Sequence, residues 1–439
     1  MIRESRRNQI HKQYFIDPFG CVKNQVDAEN MMAHLNSAGW ENVSDAEQAD
    51  LIIVNSCGFI ESAKKESINA VLEWRKLYPN KKILLAGCLA ERYEKELVKI
   101  LPEADAFMGV NNPAQITEKV PHTKNHVTAK DTVVTTGERP LLSMPGSAYV
   151  KISEGCSNNC SYCAIPLIRG ALVCRPIPDI IDECRALLNR GIKELCIIGQ
   201  DIGAYKIKED GLPELLRMIS EINGDFWVRL LYIHPDHFPL EILDLMEKDK
   251  RFLPYFDIPF QHASPKILTA MNRHGTAKKN LELIKTIRAR LPNAVIRSTF
   301  LLGFPGETEE DFNELLRFQQ KAKIDWLGCF TYSREEGTAS YIMKGRVAEK
   351  IAKARKKIIE EQQVSITEKS ADRFIGQTLD VLMEEQIDDI WLGRFYCHAP
   401  DIDGSAVITG SEKTNIKAGD IIKCRISARR GIDLEGRIL

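Results

Sequence analysis

The stretch EGCSNNCSYCAIP, residues 154–166, sets Cys156, Cys160 and Cys163 within eight residues. A closed structural zinc site takes four protein ligands. Three thiols in one loop, with no fourth cysteine or histidine beside them, point to a metal centre that keeps one position open. A zinc loop completed by Cys174 or a distant histidine is the alternative.

The surrounding sequence places this loop at the start of a βα series. The apolar runs SAYVKISEGC (147–156), ELCIIGQD (194–201), FWVRLLYIHP (226–235), YFDIPFQH (255–262), AVIRSTFLLGFP (294–305) and WLGCFTYS (326–333) read as strands, separated by helical patterns such as PELLRMISEI. Six units are too few for an eight-fold barrel, so a partial (β/α)6 barrel is expected over 142–370, its site at the carboxyl ends of the strands. Residues 346–370, charged and helical in pattern, brace or connect.

Upstream, strand and helix also alternate. QYFIDPFGC (13–21), ADLIIVNSC (49–57) and KKILLAGC (81–88) are strand-like, and helical patterns follow the first two. Alternation of this kind implies an open parallel sheet, here over 12–125. Cys21, Cys57 and Cys88 each end one of these strands, at spacings of 36 and 31 residues. In a parallel sheet those ends lie along one edge, where ligands bind. Free cysteine is usually a small buried hydrophobe; three at equivalent positions argue for ligands. Residues 110–146 read as a linker or peripheral hairpin. Downstream, QTLDVLMEE, WLGRFYCHAP, SAVITG and GDIIKCRISA are short strands between turn residues, so 371–439 is expected to form a small antiparallel β-barrel. The fold class is α/β with this barrel appended.

The chain has 439 residues, 44% apolar and 28% charged, with a net charge of −1. That balance argues against a chain-wide nucleic-acid footprint. No apolar stretch follows the basic opening MIRESRRNQIH, and no run is long enough to span a bilayer. A cytoplasmic protein without membrane association is therefore expected. Its twelve cysteines are then ligands or core filler rather than disulfides. Cys174, Cys184, Cys196, Cys329, Cys397 and Cys424 are assigned to packing.

Three thiolates on a four-iron cubane leave one iron free to chelate a small molecule. The spacing of Cys156, Cys160 and Cys163 resembles that of the radical S-adenosylmethionine enzymes, in which the open iron binds the amino and carboxylate groups of S-adenosylmethionine and one electron splits its sulfonium to a 5′-deoxyadenosyl radical. Candidate contacts to that cofactor are Tyr162, which could pack on adenine or simply fill the core, Gln200 and Asp201 at the end of the second strand, Gln261, Arg297, and Gly303 in the loop GFPGE (303–307), after which Thr308 and Asp311 look like a capping box.

The whole layout, over residues 12–439, resembles the methylthiotransferases: a three-cysteine α/β domain, a radical S-adenosylmethionine barrel and a TRAM β-barrel. FGCVKNQVDAEN, NSCGFIESAKKES, AIPLIRGALVCRP, DIPFQHASPKIL and HAPDIDG are most similar to the RimO branch, which modifies an aspartate of small-subunit ribosomal protein twelve. The sister branch acts on an isopentenyladenosine of transfer RNA. The resemblance implies two [4Fe–4S] clusters, the second on Cys21, Cys57 and Cys88 with its own open iron for sulfur, facing the first across a domain interface. It also implies a reductant such as flavodoxin or ferredoxin and a sulfur donor. Phe19, Val22 and Cys174 depart from the branch's usual Leu, Pro and Ser, none at a ligand position.

Residues 371–439 hold 12 acidic against 9 basic residues. That suits a basic ribosomal protein better than RNA, although RISARRG (425–431) is a basic cluster. A non-enzymatic iron–sulfur electron carrier needs neither the barrel nor its glycine loops.

Overall fold

The run Leu51–Ser56 is buried along its whole length, as a β-branched strand covered on both faces should be. In the computed structural model it is the central strand of a five-stranded parallel sheet of order β2-β1-β3-β4-β5. The strands are β1 (Lys12–Pro18), β2 (Trp40–Asn42), β3 (Leu51–Ser56), β4 (Lys82–Gly87) and β5 (Ala106–Met108); helices α1 (Val22–Ser37), α2 (Glu61–Leu77) and α3 (Cys88–Ile100) connect them. The structure describes residues 12–110, 113–119, 137–410 and 415–439. Most of the expected linker over 110–146 lies outside these.

The described chain divides into two compact units. The first holds this sheet and the residues up to Leu142, together with Leu167–Arg169; the second holds Ser143–Pro166 and Gly170–Leu439. Two apolar layers, one on each face of the first sheet, form the core of the first unit. Tyr14, Ile53, Leu84 and Met31 belong to one, and Ile52, Val54, Leu85 and Val71 to the other. Sequence reading missed β2 and β5, edge strands of three residues each, too short to show a period. Helix α1 also buries polar side chains. Glu29, fully buried, accepts from Arg139 Nε at 2.8 Å and from Leu142 N at 2.9 Å, tying the segment 139–142 to α1.

In the second unit the six foreseen strands form one parallel sheet of order β15-β14-β13-β12-β9-β6. Each strand is added beside its predecessor: β6 (Ser147–Lys151), β9 (Glu194–Ile198), β12 (Trp227–Leu230), β13 (Phe252–Asp257), β14 (Val295–Leu302) and β15 (Trp326–Thr331). Two short antiparallel pairs, β7 (Ser153–Glu154) with β8 (Val173–Cys174) and β10 (Lys206–Ile207) with β11 (Asp210–Gly211), decorate it. The charged helix Glu349–Asp372 packs behind β15, with Gln363 Nε2 donating to Ile324 O at 2.8 Å and Thr367 Oγ1 to Asp325 O at 2.8 Å.

The tail closes as a five-stranded barrel of order β16-β17-β18-β20-β19, with β16 (Thr378–Ile387), β17 (Ile390–Phe395), β18 (Ala406–Thr409), β19 (Ile421–Arg430) and β20 (Asp433–Ile438). Two corrections follow. β20, with the polar sequence DLEGRI, was not foreseen, and it pairs with β18 in parallel, so the barrel is not wholly antiparallel. Closure imposes this. The strand that seals a five-membered ring runs parallel to one neighbour, since strict alternation of direction needs an even number of strands.

The barrel docks on the amino-terminal edge of the six-stranded sheet. Glu194, fully buried at the start of β9, accepts from Arg229 Nε at 2.7 Å, Arg394 Nη2 at 2.5 Å and Ser147 Oγ at 3.0 Å. Trp326 Nε1 donates to Cys397 O at 2.8 Å, and the HAPDIDG loop sets Asp403 against Tyr255 Oη at 2.6 Å. Burial would raise the Glu194 carboxyl, but Arg394 and Arg229 outweigh it and hold it at about 2.

Glu194→Gln leaves the buried Arg229 without its anion and Arg394 with Glu384 alone, so a loss of about 3–5 kcal/mol is expected in denaturant unfolding. Because the folded value lies below the unfolded one of about 4.3, the contribution of Glu194 is complete above that pH. It is lost as pH falls toward about 2, a slope that Glu194→Gln should flatten. In the first unit, Arg139→Ala strands the buried Glu29 carboxylate and should cost a similar amount, about 3–5 kcal/mol, read by the same titration.

Candidate metal centres

Cys21, Cys57 and Cys88 follow β1, β3 and β4, three strands adjacent in the sheet. Neighbouring strands lie about 4.8 Å apart, so spacings of tens of residues become side-by-side thiols. Cys21 precedes α1 as its N-cap residue and Cys88 opens α3. The backbone between them is locked by side chains. Asn24 Nδ2 donates to Ser56 O at 2.8 Å, Asn55 Nδ2 to Asn24 O at 2.7 Å, and Cys57 N to Ser67 Oγ at 3.0 Å. Gly20 (φ +98°) passes so close that a Cβ would sit 2.8 Å from Asn24 Nδ2 and 3.3 Å from Cys57 Cβ. Cys88 is buried, Cys57 partly so and Cys21 exposed. Burial raises the Cys57 thiol and pushes Cys88 up to about 12, so a bound metal must displace protons there.

The second trio is held by its own loop in the second unit. Cys156 N donates to Gly170 O at 3.1 Å and Cys163 N to Cys160 O at 3.0 Å. Ser161 pins the loop to the helix end at Ala270–Met271, through Oγ to Ala270 O at 2.7 Å and N to Met271 O at 3.0 Å. Gly155 (φ +70°) is obligatory, since a Cβ would stand 2.2 Å from Ala171 O. Arg273, buried, reaches Cys160 Sγ at 3.9 Å and donates to Tyr162 Oη at 3.4 Å and Pro259 O at 2.6 Å.

Three soft thiols at each place are the donor type that iron–sulfur clusters take. A separate group of described residues, Asp201, His234 and His237, brings its ligand atoms within 4.8 Å of one another. Cys174, the suggested fourth zinc ligand, lies in β8 and accepts from Lys206 N at 3.4 Å. All twelve cysteines are free thiols, and Cys184, Cys196, Cys329, Cys397 and Cys424 are buried.

The candidate cofactor contacts separate into two groups. Gln200 lies at the carboxyl edge beside the cysteine loop, donating to Glu154 Oε1 at 2.8 Å, with Lys151 on the other oxygen at 2.7 Å. Gln261 continues β13 past its end, in a strained backbone of φ +67° that bridges to Phe300. The others are occupied by the fold. Asp201 accepts from Gly203 N, His234 N, Asn158 Nδ2 and His237 Nδ1 at 2.7–3.1 Å, which fills its four lone-pair directions. Arg297 is turned toward Asp257 and the barrel loop's Asp403, 3.4 and 3.5 Å away. At Gly303 a Cβ would meet Ala352 Cβ at 2.4 Å, so that glycine admits the close approach of the helix Glu349–Asp372. Tyr162 packs edge-on against Phe304 in an apolar cluster with Met271 and Leu301, as its core alternative foresaw. Thr308 and Asp311 form the anticipated capping box.

Sequence reading missed Arg273 and His237, which stand outside the quoted motifs and reach the site only when strand ends converge. Asn24, Asp27, Glu154, Arg169 and His234 lay inside quoted stretches without a stated role.

The class is defined by three matches in chain order. Residues 13–109 match the uncharacterized family UPF0004, residues 150–318 the radical SAM superfamily and residues 375–439 the TRAM domain. The solved structure of the radical S-adenosylmethionine methyltransferase TsrM from Kitasatospora setae superposes with a TM-score of 0.56 over 76% of this chain and 74% of its own, at 15% identity, a likeness of fold. More specific are curated proteins each named ribosomal protein uS12 methylthiotransferase RimO. That of Treponema denticola is 49% identical over 96% of this chain and 99% of its own. That of Aquifex aeolicus is 40% identical over 95% of each. The chain belongs to the RimO family.

With a four-iron cluster on each trio, Cys57→Ala is expected to lose about half of the iron bound by anaerobically reconstituted protein while keeping reductive cleavage of S-adenosylmethionine. Unchanged iron content would remove the first-unit trio as a metal site.

Proposed function

We propose that this protein replaces a hydrogen on the β-carbon of an aspartate in ribosomal protein uS12 by a methylthio group. One [4Fe–4S] cluster is held by Cys156, Cys160 and Cys163, and a second by Cys21, Cys57 and Cys88. The observation that carries the reading is the repetition of one chemical device, three thiols without a fourth protein ligand, at the strand ends of two different sheets, in a chain whose relatives bear the uS12 methylthiotransferase name.

When bound at the Cys156–Cys160–Cys163 cluster, S-adenosylmethionine would supply the 5′-deoxyadenosyl radical that takes up the aspartate hydrogen, and a second molecule of it would supply the methyl group for the sulfur held at the Cys21–Cys57–Cys88 cluster. The chain's own part is to hold the thiols ready and to shape their surroundings. Ser161 fixes the Cys156–Cys163 loop to the helix end at Ala270 and Asn158 fixes it to Asp201 after β9, an arrangement that limits the motion of a short-lived reactant. Gln200 and Gln261 are the side chains best placed for cofactor contact, whereas Asp201, Arg297 and Gly303 act through the fold.

Cleaving the sulfonium consumes an electron, so a reductant of the flavodoxin or ferredoxin type and a separate sulfur donor complete the reaction. Among the described residues no helix is long and apolar enough to cross a membrane, and a ribosomal substrate puts the reaction in the cytoplasm. The acidic balance of residues 371–439, 12 acidic against 9 basic, fits a role for the barrel in meeting basic ribosomal protein.

The test compares uS12 and digested transfer RNA, by mass spectrometry, from a deletion strain with and without the gene restored. The expected result is a methylthio group on the uS12 aspartate that disappears on deletion and returns with the wild-type gene but not with Cys160→Ala. An unchanged uS12 mass, with the loss falling on transfer RNA, would overturn the substrate.

A further inference from the structure

We propose that Arg169 is a positioning residue for the centre held by Cys21, Cys57 and Cys88: its buried guanidinium donates to the Cys88 sulfur and raises the reduction potential of the cluster there. The inference rests on the reading that this trio carries a cluster.

Arg169 ends the short helix Ile165–Arg169, and its last three residues belong to the first unit. A single nitrogen, Nη2, lies 2.6 Å from Asn24 Oδ1, 2.9 Å from Asp27 Oδ2 and 3.2 Å from Cys88 Sγ. The Arg169 side chain is 1% exposed and that of Asp27 6%. The nitrogen that meets the Asp27 carboxylate is thus also within donating distance of the Cys88 sulfur. Asn24 cannot take over that task, because its Nδ2 is spent on Ser56 O at 2.8 Å and the atom it turns to Cys88 is the acceptor Oδ1, at 3.3 Å.

Once the thiols have become cluster thiolates, reduction adds a further negative charge to an already anionic group. An N–H···S bond from a buried cation stabilises that added charge, so the potential rises. Asp27 orients the guanidinium and offsets part of its field.

The test uses full-length protein with Cys156, Cys160 and Cys163 each replaced by Ala, so that the first-unit trio alone can bind a cluster. Iron is counted, and the midpoint is measured by redox titration followed by electron paramagnetic resonance. In this background Arg169→Met is expected to move the reduction equilibrium toward the oxidised form by at least about tenfold, 59 mV for one electron, with iron retained. Asp27→Asn, which removes the offsetting charge without changing shape, should move the midpoint the other way, and it decides the matter should Arg169→Met fail to load. Loaded variants with the parent midpoint overturn the role of Arg169, leaving the cluster assignment intact. A parent that binds no iron overturns the cluster assignment itself, and this inference with it.

Discussion

Everything in the first unit that bears on chemistry depends on parallel pairing. In a parallel sheet each strand ends on the same edge, and β1, β3 and β4 are neighbours there. One cysteine after each strand is therefore enough to assemble three thiols from points 36 and 31 residues apart. No loop has to reach across the sheet, and the ladder that fixes strand register fixes the thiols too. The buried β-branched strand Leu51–Ser56 gives this edge its rigidity. Register slip is suppressed by two dry faces, each of which would be disrupted by a one-residue shift.

The second trio reaches the same chemistry by the opposite route. Its cysteines are local in sequence, so the sheet does not place them individually. A single loop does, and that loop is held from outside by Ser161, Asn158 and the backbone at Gly170. In both places a buried arginine stands near sulfur, Arg169 at 3.2 Å from Cys88 and Arg273 at 3.9 Å from Cys160. A cluster with three thiolate ligands would be anionic, and burying such a group without a cation is costly; at each trio a buried arginine of the same unit stands close enough to offset that charge.

Much of this was legible because it follows from periodicity. The six strands of the second sheet were recognisable as apolar runs, and the strand-end rule turned three scattered cysteines into a site before any coordinates. What remained hidden was the destination of polar side chains. Asp201 sits at a strand end, where a ligand contact is expected, and four donors from its own turn and two other segments meet its carboxylate. Arg297 likewise answers to Asp403, more than a hundred residues away. Gly303 also makes room for Ala352. Such pairings leave no period in the sequence. The short strands β2 and β20 escaped for a related reason, because neither is long or apolar enough to show alternation.

The parallel seam between β18 and β20 has a consequence for how the protein is made. Until Asp433–Ile438 emerges and seals the ring, β18 and β19 present unpaired edges to the crowded surroundings of the synthesising ribosome. Open edges of that kind recruit other strands. The six-stranded sheet, complete by Thr331, can fold well before then and offers Arg229 and Glu194 as a docking place for Arg394. The barrel therefore has a folded template beside it while it waits for its last strand, which shortens the interval in which a nascent chain could join the wrong partner.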